Sequence, residues 1–179
     1  SIDENEQQQF LLHGEIETSQ DSLFNGIIEL KPFEYVVYNL SNHELNLNSY
    51  NSITETSYNH LSDKEIINTI EEKLLNSIKI RLRSDVEVGS CLSGGLDSSI
   101  IACAVKKIQP SHNLKLFTAI FPNEKFDESN YAQLVAKSVN GIWNTVNPKP
   151  EDFFKEIETL NYIQDLPIWS TSTYSQYKV

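Results

Sequence analysis

Apolar and polar positions along this chain change period, and the change divides it. From residue 62 to 82 the apolar residues Ile66, Ile67, Ile70, Leu74, Ile78 and Leu82 recur every three or four positions. That spacing is one face of a 3.6-residue helix. Its start is marked by Ser62-Asp63-Lys64-Glu65, where Ser and Glu three apart form a capping box and Asp63 suits the positive end of the helix dipole. Such a stripe predicts a helix that packs on a sheet. From Val86 onward, short apolar runs alternate with helical ones. The pattern predicts strands over 86–92, 114–121 and 142–146, and helices over 98–109, 127–140 and 150–163. Asp127 caps the second of these helices, Gly141 ends it, and Pro150 opens the third, where a missing N–H is tolerated. The β-α-β-α-β-α order predicts an α/β fold with a parallel, doubly wound sheet and right-handed crossovers.

The first fifty residues follow other rules. Residues 1–20 are polar and then mixed. Two short β-rich runs, 33–38 and 44–47, flank the turn-forming segment 39–43, which predicts a hairpin, and Pro32 suits a strand start. Residues 51–60 have no period and read as a linker.

Composition narrows the function classes. The 179 residues suffice for one domain or one and a half, and 39% hydrophobic content suffices for a core. The formal net charge is -11 and the pI about 4.7. A nucleic-acid backbone or an anionic membrane would repel such a chain, so neither is expected as a partner. A small polyanion gripped by backbone N–H groups and Mg²⁺ is still compatible. No apolar run approaches the roughly 20 residues of a membrane span, and no secretory signal is visible. Cys91 and Cys103 lack ligand spacing and read as small buried packing residues of a reduced, cytoplasmic protein. The chain has no Met and runs from Ser1 to Val179, which reads as a fragment of a longer protein.

The most informative stretch is 88–107, VGSCLSGGLDSSIIACAVKK. A strand meets a loop that opens a helix. In an open α/β sheet, ligands bind beyond the carboxyl ends of the strands, where this loop lies. Gly94 and Gly95 let backbone N–H groups turn to a ligand, and the helix N-terminus adds partial positive charge, so the loop reads as an anion nest. Ser93, Ser98 and Ser99 are candidate hydroxyl donors to phosphate oxygens. Asp97 would repel a bare phosphate, and its natural role is a Mg²⁺ ligand, since Mg²⁺ takes one or two carboxylates together with phosphate oxygens. No lysine follows the glycines, so this is not the nucleotide loop in which Lys reaches the β- and γ-phosphates, nor is it the dinucleotide fingerprint. S-G-G-x-D-S would arise by chance about once per million positions.

SGGLDSS resembles the pyrophosphate loop of the ATP-pyrophosphatase superfamily, which implies an adenine nucleotide alpha-hydrolase-like sheet with its PP-loop. Three flanks, VEVGSCL at 86–92, LFTA at 116–119 and FDESNYA at 126–132, are similar to the synthetase domain of glutamine-hydrolysing asparagine synthetases. QDLPI at 164–168 resembles a further segment of that family, and FNGIIELKP at 24–32 is similar to the closing strands of its Ntn-type glutaminase domain. The resemblance covers residues from about 20 to 179. It implies a glutaminase remnant over 1–50, a linker over 51–60, and the first part of a synthetase domain over 61–179. It further implies ATP and Mg²⁺ as cofactors, aspartate and glutamine as substrates, and adenylation of the aspartate side chain before ammonia attacks. Ser93, Gly94, Gly95, Asp97 and Ser98 would hold the pyrophosphate end, with Asp97 on the metal. Leu92 and Ala119 would meet the nucleoside through backbone groups. The resemblance also allows a homodimer.

The N-terminal cysteine nucleophile of the glutaminase lies outside this span, and the family's second glycine-rich acidic loop would lie beyond Val179, so this stretch alone is expected to be inactive in synthesis. Ile120 stands where the family usually has Gly, and Asn144 stands where it often has His. Those departures keep two alternatives open: a relative forming another amide, of the β-lactam synthetase or peptide-cyclase type, and a non-catalytic ATP-binding module. Elsewhere plainer readings win. Asp127 and Glu128 read as a helix cap rather than a metal pair. Asp165 reads equally as a turn residue or as facing the substrate. His13, His43, His60 and His112 have no ligand spacing, and Trp143 and Trp169 read as packing.

Overall fold

The computed structural model describes residues 1–14, 22–50, 58, 60–168 and 170–179. They fall into two units, Ser1–Tyr58 and Asn59–Val179.

The first unit begins with a helix that the apolar pattern did not predict, α1 (Glu4–His13). Its signals are at its ends. The Asp3 carboxylate accepts the N–H groups of Asn5 and Glu6 at 2.9 and 3.1 Å, and Gly14 closes the helix at φ 69°. The expected hairpin is present. β1 (Glu34–Tyr38) pairs antiparallel with β2 (Leu45–Ser49), Tyr38 opposite Leu45. The second strand lies a little later than its apolar run, because the turn takes in Glu44, whose carbonyl accepts the N–H of Asn39 at 2.8 Å. Val36, Val37, Leu45 and Leu47 are exposed. Most of the expected linker, residues 51–57 and 59, lies outside the described residues.

The second unit contains the predicted α/β alternation. α2 (Asp63–Arg81) starts at the expected box, where the Glu65 carboxylate accepts the N–H and hydroxyl of Ser62 at 2.8 and 2.7 Å. β3 (Gly89–Cys91), α3 (Leu96–Ile108), β4 (Lys115–Ala119), α4 (Ser129–Ser138), β5 (Ile142–Val146) and α5 (Pro150–Gln164) follow in order. The three strands form one parallel sheet in the order β3-β4-β5, with Cys91 opposite Phe117 and Ala119 opposite Val146. β3 and β4 are shorter than their apolar runs because apolar residues continue past the ladder, Leu92 beyond β3 and Ile120 and Phe121 beyond β4.

The core lies where α3 and α4 meet the sheet. Ala102, Leu116 and Ala132 have no exposed surface, and Leu92, Val105 and Ala136 are nearly as buried. Alanines at these positions let helix and strand approach closely, and each buried leucine contributes roughly 1.5–3 kcal/mol. Two expectations are corrected here. The α2 stripe packs on α3 rather than on the sheet. Leu75, Ile78 and Leu82 join the core, while Ile67 and Ile70 are about 60% exposed. The crossover helix α3 already contributes Ala102 and Val105 to that core, so α2 stacks outside it. Cys91 and Cys103 are exposed, not buried. Among the described residues β3 has a neighbour on one flank only, and Cys103 lines a groove between α2 and α3.

A last helix, α6 (Thr171–Lys178), also escaped the apolar pattern. The Ser170 hydroxyl accepts the N–H of Ser172 at 3.1 Å to cap it. Glu156 on α5 then holds it, accepting the Tyr174 hydroxyl at 2.9 Å and the Lys178 ammonium at 3.0 Å. Lys178, with help from Tyr174, keeps the Glu156 carboxyl below the usual carboxylate range. Trp169 lies outside the described residues. No described helix is long and apolar enough to cross a membrane.

Candidate functional site

The chain leaves β3 at Cys91 and enters α3 at Leu96, so the glycine loop sits at the carboxyl end of a strand of the parallel sheet, where ligands bind in this class of fold. Leu92 anchors it. Its side chain is buried, its N–H donates to the Phe117 carbonyl at 2.8 Å, and its carbonyl accepts the Thr118 hydroxyl at 2.7 Å. Thr118 is itself buried and accepts the Trp143 indole N–H at 2.8 Å. A line of hydrogen bonds therefore runs from β5 through β4 to the residue before the loop.

The loop's hydroxyls turn inward. Ser98 Oγ accepts the Ser93 N–H at 3.3 Å, lies 3.0 Å from Ser93 Oγ, and donates to the Gly95 carbonyl at 3.2 Å. Ser93 Oγ accepts the Gly95 N–H at 3.2 Å, and Ser99 Oγ donates to the Gly95 carbonyl at 2.7 Å. The uncommitted donors are instead backbone groups. The first N–H of α3 with a partner is that of Ser99, bonded to Gly95 O at 3.2 Å. The N–H groups of Leu96, Asp97 and Ser98 have no acceptor among the described residues, which is the usual state of a helix start open to an anion.

The two glycines differ. Gly94 adopts φ 96°, and a Cβ there would lie 2.6 Å from the Glu128 carbonyl and 3.1 Å from the Ala132 nitrogen. The loop is pressed against the start of α4. Gly95 has an ordinary φ of -69°, and its Cβ would meet only Ser93 Oγ at 3.4 Å. Nothing in the protein's own packing requires glycine at 95. Asp97, in the first turn of α3, is exposed and has no partner among the described residues. Ala119 ends β4 beside this loop, next to Thr118.

The next junction, from β4 to α4, is built around Asp127. Its Oδ1 accepts the N–H of Phe121 at 3.1 Å and of Ser129 at 3.3 Å, and its Oδ2 accepts the Ser129 hydroxyl at 2.7 Å. The Ser129 hydroxyl first, and then the Phe121 N–H, hold this carboxyl below the usual carboxylate range. The expected N-cap is corrected: that position is Glu128, which makes no side-chain cap bond, and Asp127 stands one residue earlier, bonded to the first helical residue, Ser129.

A family model for asparagine synthase matches residues 69–179, well over half of the chain. The chain belongs to the asparagine synthase family. Two curated relatives carry that name. Over 97 residues the chain is 34% identical to a putative glutamine-hydrolyzing asparagine synthetase 2 of Methanocaldococcus jannaschii, which takes in 54% of this chain and 19% of the relative. Over 87 residues it is 39% identical to the glutamine-hydrolyzing asparagine synthetase 1 of Bacillus subtilis, 48% of this chain and 13% of the relative. The chain thus spans less than a fifth of the length of either relative where they match.

Within this asparagine synthase domain, the structure brings Leu92, Ser93, Gly94, Gly95 and Ser98 into one bonded loop, with Ala119 on the adjacent strand and Asp97 on the outward side of the helix start. Thr118 was missed in the sequence because a threonine in a strand is the ordinary choice there. Trp143 does pack, and it also donates a bond that its sequence position did not announce. An open cleft of about 980 Å³, lined among others by Phe121, Phe126, Lys149, Phe153 and Tyr174, lies past the ends of β4 and β5. It was invisible in the sequence because its rings come from separate segments. Asp165 resolves to a helix end, in the left-handed region at φ 54° with its N–H on Asn161 O. His43 bonds the Tyr38 hydroxyl in the hairpin, and the His112 ring approaches the Val88 carbonyl.

Proposed function

We propose that this chain carries the nucleotide-binding start of an ATP-dependent amide ligase that makes asparagine. The aspartate side-chain carboxylate attacks the α-phosphorus of ATP, an acyl-adenylate forms, and pyrophosphate leaves. Ammonia derived from glutamine then attacks the acyl carbon, giving asparagine and AMP. The observation that carries this reading is the junction after β3, where free N–H groups of Leu96, Asp97 and Ser98 and an unpartnered carboxylate stand side by side. Membership of the asparagine synthase family supports the same chemistry.

In this reading the loop from Ser93 to Ser98 binds the pyrophosphate end, with Gly95 giving the phosphates room to approach. Leu92 and Ala119 flank the nucleoside at two adjacent strand ends. Asp97 would hold Mg²⁺. The donor set fits, because Asp97 is an exposed carboxylate without a partner among the described residues, and Mg²⁺ needs only one or two protein carboxylates beside phosphate and water oxygens. Bound there, the metal would neutralise charge on the departing pyrophosphate. Around it, the N–H groups of α3 orient the leaving group without reorganising. The doubly wound PP-loop architecture, a glutaminase remnant over 1–50 with a linker over 51–60, a cytoplasmic location and a homodimer belong to the same proposal.

The test is made on the full-length protein. Labelled pyrophosphate should exchange into ATP only when aspartate is present, and Asp97→Ala should abolish that exchange. Exchange that ignores aspartate, or survives Asp97→Ala unchanged, would sink the reading.

A further inference from the structure

We propose that Asp127 is a positioning residue for this reaction, holding the β4–α4 junction in the shape that supports Gly94 from behind and so setting the depth of the anion-binding loop. The inference rests on the functional reading above.

One carboxylate spans the whole junction. It accepts the N–H of Phe121, two residues past the end of β4, and both the N–H and hydroxyl of Ser129, the first residue of α4. The chain between is braced as well. The Glu124 N–H bonds the Phe121 carbonyl at 3.0 Å across a turn with Asn123 at φ 73°, and the Asp127 N–H bonds the Glu124 carbonyl at 3.1 Å. Loss of the carboxylate would free both ends of this segment at once.

What the segment holds is the wall behind the nest. Glu128 directly follows Asp127, and its carbonyl is the atom nearest to where a Gly94 Cβ would be, at 2.6 Å. The same carbonyl accepts the N–H groups of Tyr131 and Ala132 at 3.0 and 3.2 Å, so it belongs to the first turn of α4. Gly94 has no side chain with which to compensate if that wall moves. At its other end the segment begins beside Ala119, the strand end assigned to the nucleoside. Asp127 therefore ties together both edges of the nucleotide site, and among the described residues every partner of its carboxylate belongs to its own junction. It acts through Gly94 and Ala119, not by contact with the reacting atoms.

The experiment is aspartate-dependent pyrophosphate exchange by the full-length protein, with ATP varied. Asp127→Ala should raise the KM for ATP about 10-fold or more while kcat falls less, since a lost charged acceptor and a displaced binding loop act on nucleotide binding. Asp127→Asn keeps an oxygen for the Phe121 N–H and should recover KM to within about threefold of the wild type. A wild-type KM in Asp127→Ala overturns the inference. So does an Asn variant as impaired as the Ala variant, because the charge itself would then be acting on substrate. If the Ala variant does not fold, Asp127→Glu replaces it. The charge is kept and the acceptor displaced by one methylene, so KM should rise, and an unchanged KM overturns the inference. Wild-type protein without aspartate-dependent exchange overturns the functional reading and this inference together. Wild-type exchange with no effect at Asp127 overturns the inference alone.

Discussion

Two consecutive strands of this sheet end in junctions that each carry an aspartate, and the two are used in opposite ways. After β3, Asp97 stands exposed without a partner among the described residues, beside N–H groups that also lack one there. After β4, Asp127 is half-buried and fully engaged by Phe121 and Ser129. Both residues sit at a helix start, where an acidic side chain is favourable in any case. Residue type and position therefore do not separate them. The partners do. An aspartate that satisfies its own junction is architecture, and one left unpaired next to unpaired donors is what the proposed nucleotide site requires.

The contrast breaks most visibly where the two junctions touch. Gly94→Ala places a methyl against the Glu128 carbonyl at a φ of 96°, and it should destabilise the protein by roughly 2–4 kcal/mol. Gly95→Ala, with only Ser93 Oγ at 3.4 Å, should stay within about 0.5 kcal/mol of wild type. Thermal and urea unfolding of the full-length variants would measure both, and equal losses would show that the wall behind Gly94 is not rigid. The next effect in size lies at Thr118. Thr118→Val strips partners from the buried Leu92 carbonyl and from the Trp143 indole, and it should cost about 1–3 kcal/mol. Thr118→Ser should restore most of the loss by returning the hydroxyl, and a valine variant as stable as wild type would remove this line of bonds from the account. The smallest effect is the pH dependence of Asp127. Its folded pKa lies below its unfolded one, so its contribution is fully present above the unfolded value and is lost as pH falls through the lowered folded value. The stability gap between wild type and Asp127→Asn should hold steady from neutral pH down to about 4, and close below that. A gap that closes by pH 6 would contradict the assigned partners.

The second unit's alternation was legible because short apolar runs there alternate regularly with segments of helical period. β5 falls on 142–146 and α5 extends one residue past its predicted end. α1 and α6 were not legible, because neither buries a stripe. Their only signals are the capping residues Asp3, Gly14 and Ser170, each of which is equally at home in a loop. The α2 stripe was read correctly as helical and wrongly as sheet-facing. Periodicity shows that a face is apolar and says nothing of which element will cover it. The site was legible as far as its composition is peculiar. SGGLDSS stands out as a candidate loop, whereas the inward turn of Ser93 and Ser98, and the support from Thr118 and Trp143, follow from tertiary contacts that ordinary residues make. The two cysteines were misread because a preference for burial registers neither the open flank of β3 beside Cys91 nor the groove between α2 and α3 that Cys103 lines.

The close approach of Gly94 to Glu128 also bears on the order of events during synthesis. The loop precedes its own wall by more than thirty residues of chain. β3 has only three residues, and its ladder is with β4, which is made later. A nascent chain that has just delivered SGGLDSS therefore holds the letters of the nest without its shape. The shape arrives when Glu128 to Ala132 emerge and α4 docks. The shape of the loop is thus a property of the assembled sheet rather than of the motif.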